Sequence, residues 1–308
     1  MFYGRQACWV DAPAKINLTL EVLGRRPDGY HDIRSLLIPV ALADRIELRE
    51  SDRDALEVVA EGVDLSALGP PAANLAVRAM ERLRQRTKRG GPLAIRIVKR
   101  IPIGGGLGGG SADAAATLVG LNHLWSLGWS RERLMELGAE LGSDIPALVH
   151  GGAVCMEGRG ERVSPALVGA TGPVPGFTVL LANPGLTIST AEVYRSYAGG
   201  LTSGPNFYTI THSSLRSGDV EGTAAGLFNG LEASVYAKYP GVGRLAQQLK
   251  SAGALGVLLS GSGATVFALV KDVEHGERIR RDILGDYWSR VTWTLPDGVM
   301  AAHGFLEP

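Results

Sequence analysis

From Ala14 the chain alternates strictly between apolar and polar residues. Ile16, Leu18, Leu20 and Val22 face one way, and Lys15, Asn17, Thr19 and Glu21 the other. That period predicts a strand with a core face and a polar face. The Asp28-Gly29 pair in Arg25–His31 predicts a reversal joining it to a second alternating segment. Arg45–Leu48 and Leu56–Val59 read as further strands of one sheet. Asn74 stands before Leu75, Ala79, Met80 and Leu83 and reads as the N-cap of a helix to about Arg86. Leu93, Ile95 and Ile97 alternate with Ala94, Arg96 and Val98 as a strand, and Leu118, Leu121 and Trp125 fall at helical spacing before Gly128. Ser130 caps a helix carrying Leu134, Leu137 and Leu141 and closed by Gly142, and Pro146 suits the first turn of a short one.

The second half is patterned more weakly. Phe177–Leu181 reads as a buried strand, and the Ser/Thr-rich stretch 202–217 as a mobile loop. Phe228–Glu232 reads as part of a structural helical stretch. Leu245, Leu249 and Gly253 mark another helix, and Leu258–Phe267 reads as strand, glycine turn, strand. A helix over 275–284 and a strand over 291–295 complete an α+β half.

Composition narrows the class. A chain of 308 residues suits two domains or one large one. Zero formal net charge gives no pull toward nucleic acid or a membrane surface. Cys8 and Cys155 lie far apart without metal-ligand spacing, which fits reduced thiols in a cytoplasmic protein. No apolar run reaches the roughly 18 residues of a membrane-spanning helix.

The most informative stretch lies between the strand at 93–98 and the helix after it. Residues 104–110 read Gly-Gly-Gly-Leu-Gly-Gly-Gly, followed by Ser111. Strand, glycine loop and helix N-terminus together offer backbone N–H groups and a positive dipole end to an anion, most often phosphate. A linker does not fit between a strand and a helix. A dinucleotide loop would place an acidic residue about 20 positions on, and Leu121–Ser130 has none. A Walker A loop needs Lys before Ser111, where Gly110 stands. A phosphate loop of another family remains.

Gly104–Ser111 resembles the phosphate loop of the GHMP kinases, small-molecule kinases named for galactose, homoserine, mevalonate and phosphomevalonate. Pro13-Ala-Lys-Ile-Asn-Leu18 resembles their N-terminal motif, Gly142-Ser-Asp-Ile-Pro146 their catalytic segment, and the Ser260–Gly263 turn their third motif. Asp28-Gly29-Tyr30-His31 resembles the substrate loop of the branch that acts on a cytidine diphosphate-linked methylerythritol. The resemblance implies an α/β (α+β) fold of two domains with the active site in the cleft between them. An ATP-binding domain would span 1–160 and a substrate-side domain 161–308, with the boundary near 155–165. It also implies a left-handed βαβ crossover in the first domain, against the usual hand.

The implied activity is ATP-dependent phosphorylation of the 2-hydroxyl of that substrate, in the non-mevalonate isoprenoid route. Asp144 would take the hydroxyl proton and Lys15 would assist; on pattern alone they read as a helix cap and a solvated strand face. Gly104, Gly105, Gly106, Leu107, Gly108, Gly109, Gly110 and Ser111 would hold ATP. Ser111 would also be helix N-cap, with its hydroxyl toward phosphates or Mg²⁺, whose other ligands are not readable. Asn74 is either the adenine-side residue or simply a cap. Lys99 is either a neighbour of the nucleotide or a solvated cation. Asn17, Tyr30, His31, Thr190 and Tyr194 would face the substrate, with the two tyrosines against cytosine. The family more often has Asp where Gly230 stands, so 228–232 is read as structural. Monomer and homodimer both fit.

Overall fold

The structure is a computed structural model and describes residues 6–170, 172–197, 206–298 and 300–306. The first sheet is built on two long neighbours, β1 (Gln6–Arg25) and β2 (His31–Glu50), joined by the turn at Asp28-Gly29. Both are longer than the alternation predicts. Register shifts at Pro13/Lys15, Asn17/Thr19 and Val22/Gly24 keep β1 in the ladder while changing its direction. β3 (Ala55–Ala60) and β4 (Leu93–Lys99) run parallel, linked by α1 (Leu75–Thr87), and β4 lies against β2. Asn74 caps α1, accepting from the Ala76 N–H, as its place before an apolar periodic run implies.

The glycine loop leads into α2 (Gly109–Leu124), which is apolar on nearly every side and runs through the first half's core. It is capped by Gly108 in a left-handed conformation. Ser111 is therefore the third helical residue and not the cap. The helix ends at Leu124 and the chain reverses through Trp125–Gly128, where the Asn122 side chain pins both the N–H and the carbonyl of Trp129. α3 (Arg131–Ala139) is capped by Ser130 as expected, and α4 (Ile145–His150) has Pro146 in its first turn.

β5 (Val154–Gly158) and β6 (Arg162–Pro165) extend the first sheet from β2. β7 (Thr178–Asn183) then opens a second sheet of four strands, and α5 (Thr190–Ser196) follows. The stretch 202–217 departs from expectation: Phe207–Ser217 is helix α6, and 202–205 lie outside the described residues. Asn206 caps α6, the buried Glu21 carboxylate accepts from the Tyr208 N–H, and Thr211 and Leu215 are buried. These long-range contacts override a composition that reads as loop.

After α7 (Val220–Ala225), Phe228–Asn229 forms the short strand β8, parallel to β1, and not helix; α8 (Glu232–Lys238) begins beyond it. α9 (Pro240–Ser251) leads to β9 (Gly256–Leu259), the second glycine turn and β10 (Val266–Leu269), then α10 (Val273–Ile283) and β11 (Trp288–Trp293). The second sheet has the order β11-β7-β10-β9. Finally β12 (His303–Leu306) returns to pair with β1.

The expected division at 155–165 is thus crossed repeatedly. β6, β8 and β12 all join the first sheet, and one buried cluster unites Ile16, Leu18 and Ile38 with Leu181, Leu258 and Phe267. A shared core of this kind holds the two halves in one geometry, because each such side chain contributes about 1.5–3 kcal/mol by burial. β1 shows the result. Its polar residues Lys15, Asn17, Thr19 and Glu21 are all buried between the halves, so neither of its faces is solvated there.

Candidate active site

A cleft of about 1150 Å³ runs along the junction of the two halves. Of the expected site residues only Leu107 does not line it; its side chain is in the core.

At one end the glycine loop is anchored through its carbonyls. Gly104 O accepts from Ile188 N, Gly105 O from Thr265 N, Gly106 O from Ser260 Oγ and Leu107 O from Lys15 N, at 2.9–3.2 Å. With the carbonyls turned into the protein, the N–H groups of Gly104–Gly108 have no acceptor among the described residues. They and the first turn of α2 form an anion seat. Gly106 has φ +77°, and a Cβ there would meet the Ser260 carbonyl at 2.1 Å, so the interlock of the two glycine turns admits only glycine.

Lys15 and Asp144 meet at the middle of the cleft. Lys15 Nζ lies 3.6 Å from Asp144 Oδ2 and bonds Asn17 Oδ1 at 2.7 Å. Asn17 in turn donates to Ser35 Oγ at 2.8 Å. Asp144 sits at the N-cap of α4, but its carboxylate makes no capping hydrogen bond there. It is aimed at the cleft instead, with its side chain 33% exposed against 5% for that of Lys15.

Beyond this pair the cleft becomes aromatic. His31 lies 5.4 Å from Tyr194 and 6.0 Å, edge-on, from Tyr197. Burial, and then the Arg25 charge, hold the His31 imidazole below its ordinary range, so it is neutral near pH 7 with one N–H and one lone pair. Burial pushes the Tyr194 phenol well up, so it stays protonated. Tyr30 is half exposed, with the Arg159 guanidinium 5.3 Å from its ring centre. Thr190 and Ser262 join hydroxyls at 2.7 Å across the cleft wall.

Lys99 is no solvated cation. It is buried between Asp44 at 2.5 Å and Asp113 at 2.7 Å, while Asp44 Oδ1 accepts from the N–H groups of Arg100 and Ile101. Burial opposes the Lys99 charge, but the two carboxylates outweigh it and keep the ammonium above its ordinary range. Asp113 is driven up mainly by burial, and its Oδ1 has no hydrogen-bond partner among the described residues. The cluster ties β2 to both ends of the glycine loop.

Sequence reasoning did not find Arg159, Tyr197 or the Ala67–Gly69 segment, all of which line the cleft, whereas Gly261 and Ser262 of the third motif do stand there. Arg159 stands in a Gly-Arg-Gly that reads only as punctuation. The remaining positions carry no local signal, since chain folding alone brings them to the cleft. Among the described residues no group of three or more His, Cys, Asp or Glu side chains could hold a metal ion, and no helix is long and apolar enough to cross a membrane.

Comparison with known proteins shows the fold and the family. The family model for the GHMP kinase N-terminal domain matches residues 74–152, and that for the C-terminal domain matches 211–289. A 4-diphosphocytidyl-2-C-methyl-D-erythritol kinase of Pelotomaculum thermopropionicum is 42% identical over 268 residues, 87% of this chain and 91% of its own. One from Bacillus cytotoxicus is 40% identical over 272 residues, 88% of this chain and 90% of its own. A crystal structure of a 4-(cytidine 5'-diphospho)-2C-methyl-D-erythritol kinase superposes with TM-score 0.75 at 30% identity, covering 93% of this chain and 98% of that one. Homoserine kinase from Cytophaga hutchinsonii, at 18% identity and TM-score 0.72 over 97% of each chain, shares the fold. The chain belongs to the 4-diphosphocytidyl-2-C-methyl-D-erythritol kinase family of the GHMP kinases.

Proposed function

We propose that the enzyme transfers the γ-phosphoryl group of ATP to the 2-hydroxyl of 4-diphosphocytidyl-2-C-methyl-D-erythritol, a step of the non-mevalonate isoprenoid route. The observation that carries this reading is the position of the Lys15–Asp144 pair, 3.6 Å apart, between an anion seat and an aromatic pocket. In the proposed arrangement the N–H groups of the 104–111 loop and the α2 N-terminus hold the triphosphate, with Asn74 and Lys99 on the nucleotide side. Tyr30, His31 and Tyr194 hold the cytidine. Tyrosine offers a π face at low entropic cost, and a neutral imidazole offers a donor and an acceptor to a base edge. Asn17 and Thr190 face the methylerythritol.

Asp144 then accepts the proton of the attacking hydroxyl. Because phosphoryl transfer passes through a loose transition state, the carboxylate mainly orients that hydroxyl and takes its proton late. The Lys15 ammonium offsets the charge on the equatorial oxygens of the transferring group. Mg²⁺ fits the donors present. A triphosphate-bound ion needs only one or two protein oxygens, and the Ser111 hydroxyl and Asp144 carboxylate both line the cleft. When bound, it would neutralise phosphate charge. The reading places the enzyme in the cytoplasm, as a monomer or homodimer, with neither nucleic acid nor membrane as partner; zero net charge and two buried free cysteines support it.

The test is ADP release with ATP and Mg²⁺, offering the cytidyl-linked methylerythritol beside mevalonate, homoserine and galactose. Turnover with the cytidyl compound alone is expected. Turnover with another alcohol and not with it would void the roles of Tyr30, His31 and Tyr194, and ATP binding without turnover on any of them would void the kinase assignment.

A further inference from the structure

The second glycine turn, Ser260–Gly263, forms the cleft wall beside Lys15. A side chain at Gly261 would meet Lys15 Nζ at 3.0 Å, the Gly106 carbonyl at 3.2 Å and Asn17 Oδ1 at 3.5 Å. Ser260 bonds the phosphate loop, and Ser262 bonds Thr190. The placement of this turn therefore sets the reacting centre. Yet Gly261 and Gly263 both have positive φ, +55° and +82°, and carry no side chain that packing could grip. A turn of that kind needs an external anchor to hold one conformation.

Asn229 provides one. It is 4% exposed and uses both amide protons on this turn, donating to Leu259 O at 2.9 Å and to Gly261 O at 2.7 Å. Its own Oδ1 is fixed by the Leu231 N–H at 2.9 Å. Just beyond, Glu232 Oε1 accepts from Leu259 N and from the Tyr236 hydroxyl, holding the base of the same turn. Asn229 also lies on β8, which pairs with β1 at Thr19 and Leu20, close to Lys15 and Asn17 on that strand. It thus connects the strand bearing Lys15 to the turn that Lys15 faces.

We infer that Asn229 is a positioning residue for phosphoryl transfer: its amide fixes the Gly261–Ser262 turn, and through it the Lys15 ammonium. The role rests on the kinase reading above. Asn122 provides a control: it makes a two-bond amide contact to the Trp129 backbone, half-buried and away from the cleft.

The experiment compares Asn229→Ala and Asn122→Ala for thermal midpoint, kcat and KM for ATP. Both variants should lower the midpoint, Asn229→Ala the more, since Asn229 is buried and makes three hydrogen bonds against two. Only Asn229→Ala should lose kcat, by about 10–100-fold, since a displacement near 1 Å at a reacting centre costs about that much. Its KM for ATP should stay within about threefold, because the carbonyl anchors of the phosphate loop from Ile188 and Lys15 remain. If Asn229→Ala does not fold, Asn229→Ser carries the same expectation: its single hydroxyl can replace at most one of the two donations and adds no buried charge. A kcat within about twofold of wild type in the folded variant, or an equal loss in Asn122→Ala, would overturn the inference. Wild-type enzyme without turnover on any alcohol would instead overturn the kinase reading.

Discussion

Lys15 and Lys99 are each 4% exposed and both line the cleft beside the glycine loop, yet their partners differ. Lys99 is held at 2.5 and 2.7 Å by two buried carboxylates, which outnumber it. Lys15 has one carboxylate at 3.6 Å, one third exposed and free of any capping duty. The first cluster is closed: its charges are spent on joining β2, the loop entrance and α2. The second is open: its ammonium and carboxylate stand 3.6 Å apart on the cleft, where in the proposed arrangement the substrate completes them. A buried charge removed from a closed cluster leaves its partners uncompensated and destabilises the fold. In the proposed arrangement, one removed from the open cluster costs turnover instead.

This contrast can be broken by substitution. Asp144→Asn should lower kcat by about 10²–10⁴-fold, the range for a lost general base, with the thermal midpoint little changed. Lys15→Met should lower kcat by about 10²–10³-fold, as expected for a lost transition-state charge. Lys99→Ala should instead destabilise the fold by about 3–5 kcal/mol in denaturant unfolding, because two carboxylates are left buried together.

Asp113→Asn sharpens the comparison through pH. Burial raises the folded carboxyl of Asp113 to about 7, so its favourable contribution is complete below its unfolded range and is lost as pH rises toward the folded value. The stability of wild type relative to Asp113→Asn should therefore fall between about pH 4 and pH 7, measured by unfolding at each pH. The smallest effect concerns His31. Burial and the Arg25 charge hold its pKa below the ordinary value, so KM for the cytidyl substrate should be flat near neutrality and rise only on acidification below the ordinary imidazole range, as the ring gains a charge and loses its acceptor.

What was legible in the chain was local. The strand–loop–helix around Gly104–Ser111, the caps Asn74 and Ser130, and the strand–turn–strand at 258–267 are each specified by neighbouring residues, and they stand in the structure. The cleft residues Lys15, Asn17, Tyr30, His31 and Asp144 were reachable because they sit in short motifs. What was not legible depends on distance along the chain. Lys99 meets Asp44, 55 positions away, and no spacing rule links them. Helix α6 depends on Glu21, 187 positions before Tyr208. β8 is only two residues long, and its strand character comes entirely from β1. Ser111 was misplaced as the cap because Gly108, lacking a side chain to signal it, takes that position in a left-handed conformation.

The most direct test of the open pair against the closed one is a side-by-side measurement of kcat and thermal midpoint for Asp144→Asn and Lys99→Ala. The account predicts that Asp144→Asn stays folded with turnover nearly abolished, while Lys99→Ala loses its midpoint first. Asp144→Asn retaining most of its turnover, with Lys99→Ala as stable as wild type, would contradict it.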